Sequence, residues 1–130
     1  MEAQSPREGP AFEHRGSELA SLSNAMVRIY KDQFGRGPTK AKTSYADNDT
    51  IVSTLESTFT PAERKMRDLG EHVRLEETRL FFQRASREEF VGTVEQITGR
   101  KVRAFVSGTD SAVDVANEVF HLEPEAELAS

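Results

Sequence analysis

The densest group of residues able to do chemistry lies between Tyr30 and Lys42, a stretch holding two glycines, a proline and four cations. Its centre, Gly35-Arg36-Gly37-Pro38-Thr39-Lys40, has the residue types of a phosphate cradle: glycines expose backbone N–H groups, while arginine and lysine supply counter-charge. The context differs from that of a nucleotide loop. A P-loop leaves a strand and opens a helix, so the positive end of the helix dipole faces the phosphates, whereas this loop leaves a helix and meets its negative end. The favoured expectation is a helix stop and tight turn, with Arg36, Lys40 and Lys42 solvated or paired to nearby acids; the alternative is a small-anion site or an acidic partner surface. A second turn, Gly99-Arg100-Lys101 followed by Arg103, would join the first in a positive patch if both lay at one sheet edge. The expected anion- or partner-binding residues are therefore Arg36, Gly37, Thr39, Lys40, Lys42, Arg100 and Lys101.

Other chemistries have thinner support. Of the histidines, His14, His72 and His121, only His72 has a ligand-like neighbour, Glu76, one helical turn away. No third ligand follows at a recognisable spacing, so no metal is assigned. The expectation for this helix is a solvated face with Glu71–Arg74 and Glu76–Arg79 pairs. Ser107-Gly108-Thr109-Asp110 poses a serine near an aspartate without a nucleophile elbow or a placed histidine, so no catalytic residue is assigned. A small enzyme with carboxylate or histidine chemistry stays as an alternative, because acids are abundant but their separations are invisible in sequence. No cofactor is expected. Nucleic-acid binding through the Gly-Arg turns is a secondary idea, since no aromatic stacking platform accompanies the cations.

The elements that must position these residues follow from periodicity. The 130 residues carry 22 acids against 17 bases and no cysteine, which suits a single soluble domain in a reducing compartment, with no disulfide and no thiolate chemistry. No apolar run is long enough to cross a bilayer, and the N-terminus lacks a secretory core, so cytoplasmic residence is the default. Residues 1–16, rich in proline, glycine and charge, are expected to be a disordered lead, and residues 124–130 an acidic flexible tail. Between them, 17–123 form one domain. Ser17 is the expected N-cap of a helix carrying Leu19, Leu22, Met26 and Ile29, closed by Gly35. A hairpin follows: Ala41, Thr43 and Tyr45 share one face, Asp47-Asn48-Asp49 makes the turn, and Thr50 to Glu56 returns. Thr60-Pro61-Ala62-Glu63 is a capping box that opens a long helix, with Met66, Leu69, Val73 and Leu80 on its apolar face, reaching about Gln83 and weakened at Gly70. Ser86-Arg87-Glu88-Glu89 reads as a second capping box for a helix burying Phe90, Val91, Val94 and Ile97 and ending at Gly99. Val102, Ala104 and Val106 then alternate inward, Gly108 to Ser111 turns, and Val115 to Leu122 is the last strand.

The expected fold is thus α+β. Two helix-plus-hairpin units build a four-stranded antiparallel sheet with helices on one face, including one long helix, in the connectivity of a circularly permuted ferredoxin-like sandwich. The uncovered side needs a partner, and a homodimer supplies one at least cost.

Taken together, Ser23-Asn24-Ala25-Met26-Val27, Lys31, Gly35 to Lys40, Thr60 to Glu63, and Thr98-Gly99-Arg100-Lys101-Val102 leading to Asp110 and Glu118-Val119-Phe120 resemble the MpsC-like domain family over roughly Ser17 to Glu123. The resemblance implies a small cytosolic bacterial protein beside the membrane components of a bicarbonate or cation system, and it brings no catalytic residues. The first expectation for function is a non-catalytic accessory or regulatory protein, dimeric or larger, that docks on a partner and senses an anion such as bicarbonate or phosphate through Arg36, Lys40 and Arg100, without inserting into the membrane.

Overall fold

The computed structural model describes residues 10–125, with side chains from Arg15 onward; the expectations for residues 1–9 and 126–130 fall outside the described residues. The chain runs α1 (Pro10–Phe34), β1 (Lys40–Asp47), β2 (Thr50–Glu56), α2 (Pro61–Asp68), α3 (His72–Ala85), α4 (Arg87–Thr98), β3 (Val102–Asp110) and β4 (Val115–Leu122). The four strands pair antiparallel throughout in the order β1-β2-β4-β3. That order, with helices crossing from β2 to β3 and β4 inserted between them, is the permuted ferredoxin-like connectivity. Leu22, Met26, Ile29 and Tyr30 of α1, Phe90 and Val94 of α4, Ile51 and Leu55 of β2, and Ala116, Phe120 and Leu122 of β4 form the core between helices and sheet.

Several local expectations are corrected. The long helix is α1, which starts at Pro10 and not at Ser17. Tertiary contacts hold its early turns, because the Arg15 guanidinium sits 4.1 Å above the Tyr45 ring and the Tyr45 hydroxyl donates to Glu18 at 2.6 Å. The helix opened by Thr60 is short. Its capping box forms as expected, but the chain stops at Leu69, swings through Gly70 at φ +84°, and restarts as α3. Leu69 and Val73, assigned to a buried stripe by a continuous helix, are both 68% exposed.

The second capping box does not form. Ser86 makes no side-chain cap, and its hydroxyl instead takes a hydrogen bond from Gln33 of α1. In β3 the register shifts between Val102 and Ala104. This irregularity reverses the expected alternation: Phe105 packs against the core, stacked on Phe120 at 5.0 Å, and Val106 is 55% exposed on the opposite side. The strand also continues through Gly108 to Asp110, so the turn begins only at Ser111.

Candidate functional site

The two Gly-Arg turns are built alike and serve the fold. Gly35 at φ +78° and Gly99 at φ +72° end α1 and α4 in the left-handed conformation. Arg36 donates to the Phe59 carbonyl at 2.8 Å, just beyond the second strand of its own hairpin. Arg100 does the same for its hairpin, reaching the Glu123 carbonyl at 2.8 Å, and it also holds the Asn48 carbonyl and the Asp49 carboxylate at 2.7 and 2.6 Å. Backbone bonds repeat the pattern, Thr39 N–H to Glu56 O at 3.0 Å and Glu123 N–H to Lys101 O at 2.8 Å. Gly37 packs closely on α1, since a Cβ there would meet the Val27 side chain at 3.4 Å.

These turns do not share a sheet edge. The central strands β2 and β4 are antiparallel, so the two helix-plus-hairpin units are related by an approximate half-turn and their first residues lie at opposite ends of the sheet. Arg36, Gly37, Thr39, Lys40 and Lys42 gather at one end, and Arg100 and Lys101 at the other, beside the Asp47–Thr50 turn. Lys40 and Lys42 are exposed on the uncovered side of β1, where Lys40 stands across from Glu56.

The polar groups that the fold does bring together lie inside it. Glu118, at the centre of β4, is fully buried. Its Oε2 accepts from the Tyr30 hydroxyl and from Gln83 Nε2, the latter at 2.7 Å, and the same Gln83 nitrogen donates to the Tyr30 oxygen at 2.9 Å. Its Oε1, the Gln83 carbonyl oxygen and the hydroxyl of Ser107, which faces Glu118 across β3 and β4, are buried without a hydrogen-bond partner among the described residues. Burial is the dominant influence and pushes Glu118 up to about 7, against the opposing pull of the Tyr30 and Gln83 hydrogen bonds and the Arg79 charge. Burial, with Glu118 beside it, likewise raises Tyr30 well above an ordinary tyrosine.

One turn before Gln83 on α3, Arg79 is 1% exposed. It does not pair with Glu76. Its Nε donates to Glu63 Oε2 at 2.7 Å, its Nη2 to the other Glu63 oxygen and to the Thr58 carbonyl, and its guanidinium lies 3.7 Å from the Phe34 ring centroid and 5.2 Å from that of Phe59. Glu63 therefore has two tasks: it closes the α2 capping box through the Thr60 N–H at 2.9 Å and neutralises Arg79. Beneath them Asp114, in the left-handed region at φ 56°, accepts from Thr58 N–H, Thr58 hydroxyl and Phe59 N–H at 2.9 to 3.0 Å.

His72 and Glu76 do not form a metal pair. His72 Nδ1 and Glu76 Oε2 both meet the Ser111 hydroxyl at 2.8 Å, tying α3 to the β3–β4 turn. No group of three or more potential metal ligands occurs among the described residues.

The arrangement can hold a proton near neutral pH, and among the described residues two cavities lie outside it. A cavity of about 560 Å³ on α3 is lined by Glu77, Leu80, Phe81, Arg84 and Ala85, and one of about 340 Å³ on the outer sheet face by Val106, Val115, Asn117 and Val119 among others. Neither is lined by Glu118, although Ser107, which faces Glu118 across β3 and β4, borders the second. Sequence reasoning gave Glu118 and Asp114 no place in a site and paired Arg79 with Glu76, whereas it pairs with Glu63. Glu118 was detectable, because it falls in phase with the inward residues Ala116, Phe120 and Leu122; Arg79 and Gln83 likewise repeat at the spacing of Leu75.

No curated protein and no solved structure matches this chain. A family model described as "Na+-translocating membrane potential-generating system (MpsC)" matches residues 14–124, which cover both hairpins and all the groups above, and the chain belongs to that family.

Proposed function

We propose that this domain is a non-catalytic accessory subunit of a cation-translocating membrane system, acting at the cytoplasmic side by binding protein partners. The observation that carries this reading is the family match over residues 14–124. Two features support it. No described helix is long and apolar enough to cross a membrane, and in this reading the folded surface makes the contact with the system. The helices cover one side of the sheet and leave Val52, Val106, Val115 and Val119 on the other, an apolar patch suited to a protein partner. The domain self-associates in this reading, and an anion such as bicarbonate is sensed at the Lys40–Lys42 end, with Gly37 and Thr39 shaping the loop and Arg36 at its rim. Arg100 and Lys101 belong to the opposite end and act in this reading on a partner.

The test is reconstitution. Vesicles containing the membrane subunits of such a system are loaded with a sodium gradient, and the membrane potential is followed with and without the purified chain. The expected result is a potential that depends on the chain and is lost with the Val106→Glu/Val119→Glu variant. A potential indifferent to the chain rejects the accessory role. For the anion arm, thermal unfolding with bicarbonate or phosphate should shift upward in wild type and not in Lys40→Ala/Lys42→Ala.

A further inference from the structure

We infer that the exposed ridge of α3 is an isologous interface, in which two copies of this chain pack α3 against α3 antiparallel about a two-fold axis passing between Leu80 and Phe81. The inference rests on the self-associating reading above and names the surface responsible.

The inward side of α3 is settled by Leu75, Arg79 and Gln83, all buried. Helical spacing then places Val73, Glu77, Phe81 and Arg84 on the outward side, with Leu80 on its flank. Val73 is 68% and Phe81 66% exposed, and the groove along this ridge is lined by Glu77, Leu80, Phe81, Arg84 and Ala85. Large apolar side chains held in water on a helix face signal a contact surface. Phe81 is also pre-positioned: its ring meets Phe82 edge-on at 5.4 Å, and Phe82 in turn meets Phe34 of α1 at 6.2 Å. An aromatic braced in this way loses little freedom on binding.

The charge pattern identifies the occupant as a second copy. Around the midpoint of Leu80 and Phe81, Glu77 and Arg84 are equidistant and opposite in sign, and neither has an ion pair among the described residues. In an antiparallel pair of α3 helices centred there, Glu77 faces the partner's Arg84 and Arg84 faces the partner's Glu77, while Leu80 meets the partner's Phe81. A two-fold interface must be self-complementary in this sense. A parallel pairing would set like charges against each other, so the pattern also selects orientation.

The experiment measures the dimer dissociation constant of the full chain by sedimentation equilibrium for wild type, Glu77→Arg, Arg84→Glu, the double variant and Phe81→Glu. Circular dichroism and thermal unfolding confirm that each is folded, as expected for exposed positions. Each single reversal sets like charges opposite each other twice and should weaken the dimer about tenfold, and the double variant should recover most of the loss. Phe81→Glu should weaken it about thirtyfold or more. Because the chain has no cysteine, Leu80→Cys adds a unique thiol beside the axis, and oxidation should give a disulfide-linked dimer. A wild type that stays monomeric across the concentration range overturns both the interface and the self-associating reading. A stable dimer indifferent to the single reversals overturns the α3 interface alone.

Discussion

Tyr30, near the end of α1, donates its hydroxyl hydrogen to Glu118 in the middle of β4, a contact between residues 88 positions apart. With Gln83 of α3 on the same oxygen, one carboxylate joins three elements around the core, α1, α3 and β4. The cost of burying this acid is met by keeping it protonated, which makes the stability of the fold depend on pH.

The sign follows from the raised value. Folded, Glu118 holds its proton up to about pH 7, whereas in the unfolded chain it releases it near the ordinary 4.5. The proton's contribution is complete below the unfolded value, is lost as pH rises toward 7, and changes no further above it. The whole difference corresponds to roughly 3 kcal/mol. Glu118→Gln keeps a hydrogen-bonding head and removes the titration. In urea unfolding at several pH values, the variant should gain stability over wild type from pH 5 to about pH 7 and then level off, and parallel curves would show that Glu118 does not titrate in this window.

Glu63 behaves in the opposite direction. Burial alone would raise it, yet hydrogen bonds from Arg79 and the Thr60 backbone hold it below its ordinary value. Its contribution is present above the unfolded carboxylate value and lost as pH falls through the folded one. Removing one member of a buried, hydrogen-bonded pair costs about 3–5 kcal/mol, because the other charge is left uncompensated. Arg79→Ala should therefore be among the most damaging single changes in the chain. Glu89→Gln, at the equivalent place in the capping box that does not form, should stay within about 0.5 kcal/mol of wild type. Equal losses at the two sites would contradict the assignment.

Gly70 provides a test of the break between α2 and α3. In a continuous helix, glycine to alanine stabilises by up to about 1 kcal/mol. Here the residue sits at φ +84°, and a Cβ would meet nothing within 4 Å, so the only change is in backbone preference. Gly70→Ala should instead destabilise by about 1 kcal/mol, the cost of a left-handed alanine. A stabilised variant would mean that the two helices are one.

These three sites also show which parts of the fold are legible in sequence. Elements fixed by local chemistry are readable: the Thr60–Glu63 box, the glycine stops at Gly35 and Gly99, the Asx turn in which Asp49 N–H bonds Asp47, and the stripe of Leu22, Met26 and Ile29. What sequence periodicity hides is any feature decided by a distant partner. Ser86 carries the letters of a cap but is taken by Gln33, and Arg79 looks solvated until α2 folds Glu63 against it. The irregularity near Arg103 moves every later residue of β3 to the other face, so Phe105 replaces Val106 in the core. The cation loop was visible as chemistry, but whether its cations converge depended on the direction of β2 against β4, which no local pattern encodes.

That separation of the cations distinguishes clasps from exposed charges. Arg100 holds two carbonyls and a carboxylate and is largely enclosed, with 12% of its side chain exposed. Arg100→Ala removes three hydrogen bonds, two of them to the carbonyls of Asn48 in the β1–β2 turn and Glu123 just past β4, and should cost about 1–3 kcal/mol. Lys40→Ala and Lys42→Ala remove exposed charges and should leave stability within about 0.5 kcal/mol. Anion binding should show the reverse ranking. If bicarbonate or phosphate raises the unfolding temperature, the shift should survive Arg100→Ala, once measured against that variant's own lower baseline, and disappear in the double lysine variant. A shift abolished by Arg100→Ala alone would move the site to the opposite end of the sheet, next to Asp49 and the β1–β2 turn.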